Sequence, residues 1–167
     1  MSEIKVFGYI VVSILLLSAI ILPLVEVFNV TRERVMLYNN IHNSFRAARD
    51  SSYTYHEMRR LNSVVFEKRF KEGFADTFAT SFGINCRDSS GNTLLFEGND
   101  VYNDFIVEIE FGTPIIYDIE DYSVMTVAIE ASTRYKFKIG MLVLATRADP
   151  DPFQLKCKRE FTIRLIN

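Results

Sequence analysis

An unbroken apolar run, Val6–Val25, lies near the N-terminus and contains no charged residue. Fourteen of its twenty residues are Val, Ile, Leu or Phe. Twenty residues of α-helix rise about 30 Å, the thickness of a bilayer's hydrocarbon core. A cleaved secretory signal is the competing interpretation, but only Lys5 precedes the run and no small-residue cleavage site follows it. The pattern therefore favours a retained membrane-spanning helix within residues 1–28.

The helical pattern continues beyond the apolar run as one apolar stripe on a polar helix. No Gly or Pro occurs from Glu26 to Arg49, and the apolar residues recur at spacings of three, four or seven: Val30, Leu37, Ile41, Phe45 and Ala48. This spacing predicts an amphipathic helical extension over residues 29–50. Such a stripe must pack on the chain's own domain or on neighbouring copies. We expect contacts between copies, made by Val30, Leu37, Ile41 and Phe45.

A second helix is predicted from about Leu61 or Ser63 to Phe82, with a phenylalanine at every fourth position. The five rings are Phe66, Phe70, Phe74, Phe78 and Phe82. Because an α-helix turns every 3.6 residues, this row of rings winds slowly around the helix. We interpret it as the spine of a hydrophobic core, with an aromatic groove for a lipid or a partner helix as the alternative. Gly83 suits the position just after the helix.

The remainder of the chain is typical of strands. Alternation of apolar and polar residues predicts strands at Phe105–Phe111 and Ser123–Ala131, with a short strand at Thr93–Phe96 after a turn at Asp88–Asn92. Two further strands are predicted, Tyr135–Thr146 and Phe153–Ile166, joined through the proline-rich segment between them. The predicted fold is α+β, with four or five mainly antiparallel strands packed on the Phe-rich helix in one domain, residues 51–167.

Composition and motifs argue against several classes of function. Residues 50–167 contain 14 basic and 18 acidic residues, so nucleic acid is not an expected partner. No GxSxG, P-loop, GxGxxG or HExxH pattern occurs, and neither His42 nor His56 has a partner at metal-ligand spacing. We therefore expect a protein that is not an enzyme and that uses no catalytic residue, metal or cofactor.

Three features leave alternatives open. Cys86 and Cys157 are either a disulfide, which would suit a domain outside the cytoplasm, or two buried free thiols. The polar segment Gly98–Asp104 carries oxygen ligands suited to calcium but lacks the spacing of a calcium loop. Residues 88–121 contain nine acids and no base, whereas residues 134–164 contain eight bases and three acids. These charges predict either pairing across strands of one sheet or an acidic edge that meets a basic edge of the next copy.

The layout resembles that of the TadE-like minor pilins and pseudopilins of tight-adherence pilus systems. The resemblance rests on the apolar N-terminal segment, the amphipathic helix with Phe45-Arg-Ala-Ala-Arg-Asp50, the polar break, the second helix and the small sheet with two cysteines. One feature departs from the family: Ser13 stands where a Glu would lie five residues after the processing-site glycine, here Gly8. The resemblance implies an envelope-associated assembly subunit and no catalytic residues.

The expected function is that of a single-span structural subunit of a pilus or secretion assembly. The expected partners are membrane lipid and identical or related pilin-like subunits. Lys and Arg counts favour a cytoplasmic domain, but the composition of the folded part leads us to expect the domain outside the cytoplasm. The alternative is a membrane-tethered binding or sensor domain that does not polymerise, which a ligand-sized pocket beside the Phe-rich helix would favour.

Overall fold

The computed structural model describes residues 2–52, 67–117, 122–149 and 153–166. Its dominant element is a single helix, α1 (Ser2–Ser52), of 51 residues. At 1.5 Å per residue this helix is about 75 Å long. It passes through Pro23 without interruption, so the predicted membrane span and the predicted amphipathic extension are two parts of one rod.

The remaining elements form an α+β domain, as predicted, and this domain packs around the second half of α1. In chain order they are α2 (Glu67–Phe82), β1 (Cys86–Ser90), β2 (Thr93–Phe96), β3 (Phe105–Phe111), β4 (Ile115–Tyr117), β5 (Tyr122–Arg134), α3 (Gly140–Ala148) and β6 (Gln154–Ile166). The predicted second helix is thus confirmed from Glu67 onward. Residues 61–66 of that prediction, including Phe66, lie outside the described residues, as does His56.

The six strands form one antiparallel sheet with five strand positions. Strands β1, β2, β3 and β5 follow one another across the sheet, and β6 pairs with the other side of β5. Strand β4 also pairs with β5, next to its first residues, so it continues the line of β3 after a break at residues 112–114. The longest pairing joins β5 to β6 from Tyr122↔Ile166 to Arg134↔Gln154.

Both long helices cover one face of this sheet. The inward-facing residues of β3, which are Phe105, Val107 and Ile109, are fully buried. The rings of Phe70, Phe74, Phe78 and Phe82 are buried against them, which confirms the Phe-rich helix as the spine of the core. Four buried rings contribute on the order of 8 kcal/mol of transfer free energy.

Helix α2 ends as the sequence predicts. Gly83 has a φ of +61°, a conformation that costs a glycine little and other residues more. The backbone N–H of Ile84 donates to the carbonyl of Ala79 at 3.0 Å, and that of Gly83 donates to the carbonyl of Thr80 at 3.3 Å. This pair of bonds satisfies carbonyls that the end of a helix would otherwise leave open.

Two local predictions are wrong. The predicted strand Tyr135–Thr146 is not a strand: Tyr135 makes one isolated bridge to Tyr102, and α3 begins at Gly140. Strands β5 and β6 already pair with each other along their full lengths, and a short apolar run is compatible with either a helix or a strand. The predicted turn Asp88–Asn92 is shorter than expected, because residues 88–90 belong to β1 and only Gly91 and Asn92 form the turn.

Candidate functional site: the two faces of the N-terminal helix

The first half of α1 is bare. An 18-residue window of this helix has a mean hydropathy of 2.7, and only 6% of that window is buried. A core helix of a soluble protein can be equally apolar, but its residues are covered by the rest of the protein. The described residues contain one helix that is long and apolar enough to cross a membrane, and the domain does not cover its apolar part.

The first residue after the apolar run, Glu26, attaches α1 to the domain. Glu26 is only 8% exposed, and its carboxylate accepts the backbone N–H of Lys138 at 2.8 Å and that of Ile139 at 3.2 Å. A buried carboxylate is costly unless hydrogen bonds satisfy it, and the two amides here do so. We call residues 135–149 the proximal segment, because through Glu26 they contact α1 directly beside its apolar run.

Two further polar residues of α1 lie on the same face as Glu26. Asn29 hydrogen-bonds the side chain of Tyr135, and Glu33 accepts a hydrogen bond from the hydroxyl of Tyr102. Burial and the Glu33 carboxylate raise the pKa of Tyr102 well above its usual value. Burial, with the charges of Glu26 and Glu33, also raises the pKa of Tyr135. This row of polar contacts fixes the angle at which the domain sits on α1.

In the sequence, Glu26 is marked only as the first residue after the apolar run. Asn29 and Glu33 follow Glu26 by three and seven residues, so all three lie on one face of the helix. This spacing is the sequence signal that could have indicated a polar contact face. Their partners, however, include backbone amides more than a hundred residues away, which no side-chain pattern reveals.

The residues predicted to join neighbouring copies lie instead in the core of the chain's own domain. Val30, Leu37, Ile41 and Phe45 are each at most 5% exposed. The Phe45 ring stacks on Phe161 of β6 with a 4.0 Å separation of ring centres and meets Phe70 of α2 edge-on. The prediction of contacts between copies at these four positions is therefore wrong, because α2 and the sheet already cover the stripe.

The opposite face of α1 stays open beyond the apolar run. Phe28 is 75% exposed and Val35 is 56% exposed, at a spacing of seven residues that places them on the same side. Leu24, one turn before Phe28, is exposed on this side as well. We call Leu24, Phe28 and Val35 the outer ridge; it extends the apolar surface of the first half of α1 past Glu26.

Both cysteines are free thiols. Cys86 lies on β1 and Cys157 on β6, the two outermost positions of the sheet, which strand spacing places about 19 Å apart. A disulfide requires Cα atoms within about 7 Å, so the disulfide alternative is wrong for a single chain. Cys157 is partly buried against the core, and burial raises the pKa of its thiol.

The polar loop and the histidine within the described residues make ordinary structural contacts. The Asn99 side-chain oxygen accepts the N–H groups of Val101 and Tyr102, and Asp104 accepts that of Gly98 at 2.9 Å. These oxygens therefore serve the turn itself. His42 packs its ring against Phe161. Within residues 2–52, 67–117, 122–149 and 153–166, no three His, Cys, Asp or Glu side chains cluster as metal ligands would.

Two bases of the 134–164 stretch pair with an acid on the outer face of the sheet, which the helices leave open. Glu130 of β5 pairs with Lys156 at 2.5 Å and with Lys158 at 4.0 Å, both on β6. The Lys156 hydrogen bond lowers the pKa of Glu130. Glu130 also stands directly opposite Glu108 of β3. Glu130 lies outside the acidic stretch of residues 88–121, so the choice between pairing within one sheet and pairing between copies stays a prediction for that stretch.

An open depression of about 640 Å³ lies between the outer side of α2 and β1. Its lining includes charged residues of both signs, such as Lys71 and Asp76, together with Ala79 and Ile84. The buried faces of the phenylalanines point the other way, into the core. The depression therefore does not form the enclosed aromatic groove that the sequence left open.

Comparison of the chain with known proteins found no matching family model, no similar curated protein and no similar solved structure.

Proposed function

We propose that this protein is a single-pass, membrane-anchored structural subunit of a pilus or secretion assembly, similar in role to TadE-like minor pilins, and that it is not an enzyme. The observation that carries the proposal is the continuity of α1. One rigid helix is bare and apolar in its first half and forms part of a folded core in its second half. Such a helix transmits the position of its membrane half directly to the domain.

The outer ridge is the surface that we propose for contacts between subunits. Leu24 and Phe28 are each more than 60% exposed, and the ridge continues to Val35, two turns past Glu26. Large apolar side chains in a row on an exposed helix are costly in water. Lateral packing against the same ridge of an identical or related subunit would cover them, while the buried stripe keeps the domain in place.

Cysteine crosslinking in membranes tests this contact. In a full-length chain with Cys86→Ala and Cys157→Ala, we expect Val35→Cys to form a covalent adduct with a second subunit. Ile41→Cys is the matched control: it lies on the same helix but is buried, so it should form none. Adduct mass separates identical from related partners. A chain that stays monomeric at Leu24, Phe28 and Val35 would contradict assembly and leave the tethered binding or sensor domain as the better proposal.

The side of the membrane is tested with the chain's own thiols. We propose that the domain lies outside the cytoplasm. Cys86 is exposed, so a membrane-impermeant maleimide should label a Cys157→Ala chain in intact spheroplasts. Labelling that occurs only after lysis would place the domain in the cytoplasm and would contradict the proposed location.

A further inference from the structure

Helix α3 has two apolar faces, and the domain covers only one of them. On the inner face Leu142 is buried and Val143 packs against the core. On the outer face Met141 is 61% exposed and Leu144 is 65% exposed. Ala145 and Ala148 are exposed in the same row, at spacings of three, four and seven from Met141. A helix that is apolar on both sides requires an apolar environment on both sides.

The position of α3 in the fold indicates what covers the second face. The end of the sheet near α3 is fixed on α1 by Arg34, whose guanidinium donates to the carbonyl of Gln154 at 3.4 Å. The proximal segment continues from that end of the sheet to Glu26. Arg34 lies eight positions after Glu26, or about 12 Å further along the axis of α1. Helix α3 therefore lies between the sheet and the level at which the apolar run ends.

The charges around α3 suit a surface that carries negative groups. Lys138 precedes the helix, Arg147 lies in its last turn, and both side chains are exposed. Lys136 is exposed as well, and Asp149 is the one acid among residues 135–149. A short helix with an exposed apolar row and flanking basic residues is typical of helices that lie in a membrane interface, with the apolar row buried about 5–10 Å deep.

We propose that α3 is a second membrane contact, which lies in the interface of the bilayer crossed by α1. Met141 and Leu144 enter the boundary of the acyl chains, and Lys138 and Arg147 meet anionic lipid headgroups. The buried carboxylate of Glu26 holds the first residues of α3 at that depth by accepting the amides of Lys138 and Ile139. The inference rests on the membrane anchoring in the proposed function and is independent of assembly with other subunits.

Spin labels on the full-length chain in lipid vesicles test this contact. The labels replace single residues in the Cys86→Ala, Cys157→Ala background, and the measured quantity is the collision rate with oxygen relative to that with a water-soluble nickel chelate. Oxygen concentrates in the bilayer, so a label at Leu144 should favour oxygen. Ile115 is the matched control, because it is equally exposed, at 60%, but lies on β4 at the opposite end of the sheet. A label there should favour nickel.

A label at Leu16 separates the two proposals. If Leu16 favours oxygen and Leu144 behaves as Ile115 does, the contact of α3 is overturned and the anchor stands. If Leu16 also favours nickel, both are overturned. The headgroup contact predicts a further change: raising the share of phosphatidylglycerol in phosphatidylcholine vesicles should increase the preference of Leu144 for oxygen, and Lys138→Gln with Arg147→Gln should remove that increase. An equal response in the doubly substituted chain would overturn the contact with anionic lipid.

Discussion

Leu16, in the first half of α1, is 61% exposed, whereas Leu37, in the second half of the same helix, is 1% exposed. Both halves contain large aliphatic residues, so composition at these positions does not explain the difference. In the first half apolar residues occupy every side of the helix. In the second half the buried apolar residues form one stripe, and the other sides are mostly polar apart from the outer ridge at Phe28 and Val35. The arrangement of the residues around the helix decides which surroundings each half requires.

The comparison shows how one continuous helix can suit two environments, a bilayer along its first half and a folded domain along its second. A helix that is apolar on every side is stable where no water reaches it, as in a bilayer. A helix with a single stripe needs only one partner, which α2 and β6 provide here. Glu26 marks the change, because it is the first buried polar contact along α1 among residues 5–52.

The largest difference should appear when one large aliphatic residue in each half of α1 is replaced by alanine. Ile41→Ala, at a fully buried position, should lower the free energy of unfolding of the domain by about 2–5 kcal/mol. Leu16→Ala should change it by no more than about 0.5 kcal/mol, since the domain does not contact this side chain. Urea unfolding in detergent micelles, followed by the circular dichroism of the tyrosines, measures both. Equal losses would mean that the two halves do not differ as described.

The contact at Glu26 gives the next largest effect. Glu26→Ala would leave two partly buried backbone N–H groups without an acceptor, at a cost of about 1–3 kcal/mol. Glu26→Gln retains one accepting oxygen and should cost less. Hydrogen exchange at Lys138 and Ile139 should accelerate in both variants. Glu72→Ala, which removes an exposed carboxylate on α2, is the control and should leave both exchange rates unchanged. Unchanged exchange in Glu26→Ala would show that the carboxylate does not hold the proximal segment.

The elements that sequence could predict share one property: their signal is periodic and local. Three patterns each indicate a helix or a strand from neighbouring residues alone: the apolar run, the phenylalanine at every fourth position and the alternation of Phe105–Phe111. The structure confirms the helix from Glu67 and strand β3 with the predicted ends. The fold class follows from these elements, because a helical stripe and a one-sided sheet must cover each other.

The elements that sequence could not predict depend on distant partners. The stripe at Leu37 and Ile41 requires a cover, but periodicity does not say whether the cover is the same chain or another. The run Met141–Leu144 fits a helix or a strand equally well, and only the direct pairing of β5 with β6 shows that no strand lies between them. Glu26 accepts hydrogen bonds from amides 112 and 113 residues away. Almost every residue has a backbone amide, so the sequence does not indicate which ones a carboxylate contacts.

Two glycine substitutions test the same difference between the covered second half of α1 and its uncovered first half. A Cβ at Gly73 would lie 3.3 Å from the Cα of Ala48 and would collide with the Ser51 hydroxyl. Overpacking of this kind costs about 1–3 kcal/mol, and better helix propensity returns up to about 1 kcal/mol, so Gly73→Ala should destabilise the domain. Gly8→Ala meets no atom within 4 Å and should not. Adding Ser51→Ala should recover part of the loss in Gly73→Ala. No recovery would place the strain at Ala48 alone.

The smallest expected effect is a loss of stability at high pH that depends on Tyr102, for which Tyr9 is the control. The fold raises the pKa of Tyr102 above the value of about 10 expected in the unfolded chain. The folded state therefore retains a proton that the unfolded state has lost, and stability should be complete below about pH 10 and fall as the pH rises further. Tyr102→Phe should reduce this fall and cost about 0.5–1.5 kcal/mol at neutral pH, through the lost hydrogen bond to Glu33.

Tyr135, whose pKa is also raised, should preserve part of the fall in the Tyr102→Phe chain. The control is Tyr9→Phe, at a tyrosine that is 75% exposed in the first half of α1. This substitution also removes one tyrosine hydroxyl, but it breaks no contact with the domain. Urea midpoints from pH 7 to 11 should therefore match those of the unsubstituted chain. A shallower fall in Tyr9→Phe than in Tyr102→Phe would contradict the assignment of the polar contacts to the second half of α1.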